Sequence, residues 1–165
     1  MEIQRWQRPG YVISTDPARL DMDFVHRELS RSYWSPGVSR EIVERAAANS
    51  IVFGVYRETG AQVGFARLIT DSATFAYLCD VVITQTERGK GLGRWLNECL
   101  VAHPQLQGLR RWVLATRDAQ GLYRKTGWAP LKAPERFMER HFPSPVKGPA
   151  GRSRRTRIPR SSGAA

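Results

Sequence analysis

The run Val81-Val82-Ile83-Thr84-Gln85-Thr86-Glu87-Arg88-Gly89-Lys90-Gly91-Leu92-Gly93-Arg94-Trp95-Leu96 constrains this chain more than any other stretch. A β-branched apolar segment leads into glycines at 89, 91 and 93, and an apolar helical stripe follows. Glycine has no Cβ, so it takes up backbone angles closed to other residues and lets a ligand approach the main chain. A helix starting here aims unpaired N–H groups and the positive end of its dipole at the turn. Such a turn suits a phosphate or diphosphate, and Arg88, Lys90 and Arg94 add positive charge. The stretch reads as strand, anion-holding turn and helix. A P-loop is excluded, because Gly91 and not Ser or Thr follows Lys90. The dinucleotide fingerprint is excluded too, because its third glycine falls on Arg94.

The rest of the chain supplies the frame for this unit. Residues 1–10 read as frayed. Tyr11–Ser14 is a short strand, and Thr15-Asp16-Pro17 signals a helix start, with Leu20, Phe24, Val25 and Leu29 at helical spacing. A loop through Pro36-Gly37 precedes a second helix capped by Ser39 and ending near Asn49. Ile51–Tyr56 and Gln62–Thr70 form a hairpin around Glu58-Thr59-Gly60, and Phe75–Ile83 is a third strand that only Asp80 interrupts. Leu92, Trp95, Leu96, Cys99, Leu100 and His103 make one helical stripe, closed by Pro104. Then come a strand at Trp112–Ala115, a helix at Ala119–Thr126 with Gly127 as its stop, and two short strands at Trp128–Leu131 and Phe137–Glu139. Hairpins followed by a β-α-β crossover predict an α/β fold with a central mixed, mostly antiparallel sheet and helices on both faces.

Length and charge set the bounds. The 165 residues suffice for one domain, and 41% hydrophobic content suffices for its core. Cys79 and Cys99 read as small buried apolar residues, and His26, His103 and His141 have no ligand spacing, so no metal is expected. With no apolar leader and no run long enough to span a bilayer, the expectation is a soluble cytoplasmic protein without a membrane partner. Lys147, Arg152, Arg154, Arg155, Arg157 and Arg160 lie in the acid-free segment 143–165; subtracting these six from the formal +11 leaves +5 for residues 1–142. The expected division is therefore a single domain over 1–142 and a basic, disordered tail over 143–165. Nucleic-acid binding through that tail is the less favoured reading, because it holds no aromatic to stack on a base.

Arg88, Gly91 and Gly93 meet the pattern Arg/Gln-x-x-Gly-x-Gly/Ala, and Gly121-Leu122-Tyr123-Arg124-Lys125-Thr126-Gly127-Trp128 is similar to Phe-Tyr-x-Lys-x-Gly-Phe. In these two motifs and in element order, residues 11–142 resemble the GNAT superfamily of N-acetyltransferases. Gln85 stands where the family often has proline, and Thr116, Arg117 and Asp118 stand where an asparagine is frequent. The resemblance implies acetyl-coenzyme A as co-substrate and a sheet splayed where it binds. The diphosphate would lie on Arg88, Gly89, Lys90, Gly91, Leu92, Gly93 and Arg94, and the pantetheine arm along Val81, Val82 and Ile83. It also implies Tyr123 as proton donor to the departing thiolate. Asp80, the lone acid in its strand, aligns with a position often acidic in the family and is the candidate proton acceptor, through partial desolvation; a structural ion pair with a neighbouring Arg, or a place at the sheet rim, is the alternative. The acceptor pocket would involve Tyr33, Trp34, Phe75 and Tyr77, whose rings suit an apolar amine or a cation. The implied reaction is direct attack by a primary amine of a small molecule or peptide. A non-catalytic acyl-CoA-binding regulatory module is the alternative, and a homodimer is left open.

Overall fold

A computed structural model describes residues 2–141. The expectations for the segment 143–165 lie outside the described residues.

The strands run in chain order across one sheet: β1 (Arg5–Arg8), β2 (Tyr11–Ser14), β3 (Ile51–Arg57), β4 (Gln62–Thr70), β5 (Phe75–Ile83) and β6 (Arg111–Leu114). Every neighbouring pair is antiparallel except β5–β6, which is parallel. A parallel pair needs a crossover, and helix α3 (Leu92–Val101) supplies it. Helices α1 (Met22–Ser30) and α2 (Arg40–Ala48) connect β2 to β3, and α4 (Gln120–Arg124) follows β6. The expected mixed sheet with helices on both faces is therefore what forms.

Period-two alternation explains the two layers. On β3, Val52 packs among α1 and α2 residues, whereas Phe53 faces the side that holds α3; Phe65 and Ala66 divide in the same way on β4. The stripe of α3 behaves as its spacing requires, with Leu92, Leu96, Cys99 and Leu100 all buried. Each leucine so buried contributes roughly 1.5–3 kcal/mol relative to exposure.

Several boundaries differ from the sequence reading. Residues 5–8 are not frayed: they pair with β2 through a turn at Pro9-Gly10, and Trp6 stacks on Phe53 with ring centroids 6.0 Å apart. Asp16 caps only a 3-10 turn at Pro17–Arg19; α1 starts later, where the Asp21 side chain accepts from the N–H groups of Asp23 and Phe24. Ser39 stands at the start of α2 but makes no side-chain cap bond. Asp118, which the sequence offers as a cap for α4, makes no such bond: Ala119 is the N-cap, and its N–H donates to Thr116 Oγ1 in the preceding turn. Trp128–Leu131 and Phe137–Glu139 are not strands. Pro130 and Pro134 remove donors that a ladder would need, and Trp128 packs edge-on against Trp112 and Tyr123 instead.

Candidate active site

The parallel pairing of β5 with β6 runs only from Phe75↔Arg111 to Leu78↔Leu114. Beyond Leu78 the two strands part, and a cleft of about 1130 Å³ opens there. One wall is Tyr77 to Ile83; the floor is the turn and the start of α3; the other wall is Ala115–Ala119 with Leu122 and Tyr123.

The turn has the geometry its glycines require. Gly89 and Gly91 have φ of +79° and +75°, a left-handed conformation that costs an ordinary L-residue about 1–2 kcal/mol. Gly91 is the N-cap of α3 and offers no side-chain acceptor, so the first N–H groups of the helix stay available to a ligand. Gly93 is different: a Cβ there would meet Leu122 and Ile83 at ordinary contact distances of 3.5 and 3.9 Å. Arg88 folds back, its Nε donating to the Ile83 carbonyl at 3.1 Å, while Arg94 pairs with Glu98 one turn along α3. Lys90 does not line the cleft; its ammonium lies 2.8 Å from the Glu87 carboxylate.

Opposite Ala66 the ladder slips, so that Phe65 pairs with Val82 and Arg67 with Cys79. Asp80 and Val81 form the resulting bulge, and Asp80 takes φ of +55°. A bulge beside a cleft re-aims side chains and frees main-chain groups from the ladder. The Asp80 carboxylate is engaged at both oxygens: Oδ2 accepts from Arg67 Nε, and Oδ1 from Trp34 Nε1 at 3.0 Å. Trp34 belongs to the α1–α2 loop. Its neighbour Tyr33 reaches across the cleft, where its hydroxyl accepts the Arg117 N–H at 3.1 Å and its ring lies 3.8 Å beneath the Arg117 guanidinium. The two rings meet edge-on, 4.8 Å apart.

Tyr123 lines the cleft and is buried, and burial pushes its phenol up to about 12. It therefore holds its proton throughout the neutral range. Cys79 also lines the cleft, but burial raises its thiol to about 11, which keeps it protonated and a poor nucleophile. Of the expected site residues, Tyr33, Trp34, Tyr77, Asp80, Val81, Val82, Ile83, Arg88, Gly89, Gly91, Leu92, Gly93, Arg94 and Tyr123 all line this one cleft. Phe75 does not; it begins the far end of β5, opposite Arg111. Among the described residues, no group of three or more His, Cys, Asp or Glu could hold a metal ion, and no helix is long and apolar enough to cross a membrane.

Sequence reasoning passed over three partners that shape the site: Arg67, Arg117 and Glu87. Arg67 and Arg117 carry no local pattern. Glu87 did give a signal, as an acid inside a turn otherwise suited to anions.

The comparisons with known proteins agree with this architecture. The acetyltransferase (GNAT) domain family matches residues 48–130, which span β3 to just beyond α4. A Gibberella zeae protein named as a candidate acetyltransferase is 37% identical over 145 residues, covering 74% of this chain and 80% of its own. A crystal structure from Xanthomonas campestris pv. campestris, described as a candidate GNAT-family acetyltransferase, is 44% identical with a TM-score of 0.78, covering 83% of this chain and 96% of that one. The ribosomal-protein-S18-alanine N-acetyltransferase of Escherichia coli shares the fold at 21% identity and a TM-score of 0.58, over 71% of this chain and 76% of its own. The chain belongs to the GNAT acetyltransferase family, an acyltransferase of class EC 2.3.1.

Proposed function

We propose that this protein transfers the acetyl group of acetyl-coenzyme A to a primary amine of a small molecule or peptide, by direct attack within a ternary complex. Acyl-coenzyme A use follows from the family; the acceptor class and the residue roles are our reading. The observation that carries it is the meeting of three features in one cleft: a helix N-terminus behind left-handed glycines, a strand edge released from its neighbour, and a buried protonated tyrosine.

The diphosphate would lie against the N–H groups of Gly89, Gly91, Leu92, Gly93 and Arg94, with Arg88 and Arg94 adding charge. The pantetheine arm would pair with the cleft-lining backbone of Val81, Val82 and Ile83, whose last carbonyl already accepts one bond, from Arg88 Nε. That leaves the thioester near the bulge, where a main-chain N–H at Val81 or Val82 stabilises the oxyanion of the tetrahedral intermediate. The amine nitrogen attacks the carbonyl carbon, the C–S bond breaks, and the sulfur takes a proton from Tyr123. The nitrogen gives up its excess proton to Asp80 through water; each carboxylate oxygen has a lone pair beyond those used by Arg67 and Trp34. Once that proton returns to Tyr123 the site is restored. Tyr33, Trp34 and Tyr77 would receive the acceptor.

Thiol release from acetyl-coenzyme A, measured against amines, amino acids, polyamines, aminoglycosides and peptides, tests the proposal. Release that depends on one acceptor class supports it. Tight coenzyme A binding with no release on any acceptor would favour a binding module instead.

A further inference from the structure

Glu87 is the only carboxylate buried among the described residues, at 1% exposure. It immediately precedes Arg88, where the turn begins. Its oxygens accept from three elements: Tyr11 Oη of β2 at 2.5 Å, Arg57 Nε of β3 at 3.1 Å, and Lys90 Nζ of the turn itself at 2.8 Å. Arg8 of β1 adds a fourth tie. Its Nη2 donates to the Lys90 carbonyl at 2.9 Å, and its guanidinium lies 4.6 Å over the ring of Trp95 in the first turn of α3. The turn is thus fastened to three strands. These charge-assisted bonds hold the Glu87 carboxyl down at about 2. Glu87, Gly89 and Gly91 line the cleft while Lys90 does not.

We infer that Glu87 is a positioning residue for the cofactor: its carboxylate fixes the backbone of the turn in a shape ready for diphosphate and ties up the Lys90 ammonium. This rests on the acetyl-coenzyme A reading. Replacing the carboxylate by an amide sets a buried NH2 against the donors of Tyr11, Arg57 and Lys90, so the turn loses its shape before the sheet loses its core.

The test is a calorimetric titration with coenzyme A of the wild type, E87Q, E87D and R57M, alongside melting curves and steady-state kinetics. For E87Q the Kd is expected to rise about tenfold, with KM for acetyl-coenzyme A rising in parallel and kcat at saturation changed by less than about twofold. E87D keeps the charge and recovers part of the affinity. R57M removes a partner whose own side chain is about half exposed, and a rise of about two- to threefold is expected. A lower melting temperature for E87Q with wild-type affinity would make Glu87 an ordinary structural acid and overturn the inference. If E87Q does not fold, R57M decides: an unchanged Kd overturns the inference equally. Wild-type protein that takes up no coenzyme A would overturn the acetyl-coenzyme A reading and this inference together; wild-type binding with unaltered variants overturns this inference alone.

Discussion

On the proposed reading, the cofactor end of the cleft offers a ligand main-chain groups and the acceptor end offers it side chains. The turn presents N–H groups from left-handed glycines and a helix terminus, backed by a buried carboxylate. The α1–α2 loop presents Tyr33 and Trp34, 44% and 42% exposed, each held by one hydrogen bond to a distant residue. Main-chain recognition tolerates little change, because backbone angles are nearly all-or-none. Side-chain recognition can be retuned by single substitutions. A common co-substrate at one end and a variable acceptor at the other is what such a division suits.

Tyr123, as the proposed proton donor, offers the sharpest test of the division. Tyr123→Phe is expected to lower kcat by about 10²- to 10³-fold with coenzyme A affinity unchanged, read by thiol release and calorimetry. An unaltered kcat would move the proton donor elsewhere. Its pH behaviour follows from burial. The folded-state phenol is raised from 10.0 to about 12, so the tyrosine contributes stability below pH 10 that is lost as pH rises toward 12. The kcat profile should therefore show no alkaline loss from this group below about pH 11.

Gly91→Ala breaks the main-chain end alone. A left-handed alanine costs about 1–2 kcal/mol, and KM for acetyl-coenzyme A should rise roughly tenfold while KM for the acceptor holds. Equal losses in both would show that the ends are not independent. Trp34→Phe does the converse. It removes the indole donor to Asp80, a bond worth about 0.5–1.5 kcal/mol. The acceptor KM should rise about two- to tenfold with coenzyme A binding intact.

The smallest effect concerns stability in acid. The Glu87 carboxyl is lowered from 4.5 to about 2 by its hydrogen-bond partners, Lys90 first and then Tyr11 and Arg57. Its contribution is complete above pH 4.5 and disappears as pH falls toward 2. Melting curves across that window should decline less steeply for E87Q than for the wild type. Parallel curves would remove Glu87 from the acid response.

The same division explains how much the sequence revealed. A main-chain site needs glycines at fixed places, and those at 89 and 91 could be read directly. Strands β4 and β5 were legible to the residue, because turn residues flank their apolar runs. The Tyr33–Trp34 side of the cleft was legible only as residue types. Trp34 meets Asp80 across 46 residues and Tyr33 meets Arg117 across 84, and no local pattern encodes either pairing. The Asp80 ion pair with Arg67 arises from a bulge, which hydrophobic alternation does not announce. Strand β1 went unread although Pro9-Gly10 marks its turn; two arginines and a glutamine in four residues hide a strand that Trp6 anchors from one face.

The central claim is that peptide N–H groups of residues 88–94 hold the diphosphate at the mouth of the split sheet. Titrating ¹⁵N-labelled protein with coenzyme A and following its amide resonances tests this most directly. The account predicts that the largest shifts fall on Gly89, Gly91, Leu92, Gly93 and Arg94, with a second group at Val81–Ile83. Saturable binding that leaves those amides unmoved and shifts another face of the protein would contradict it.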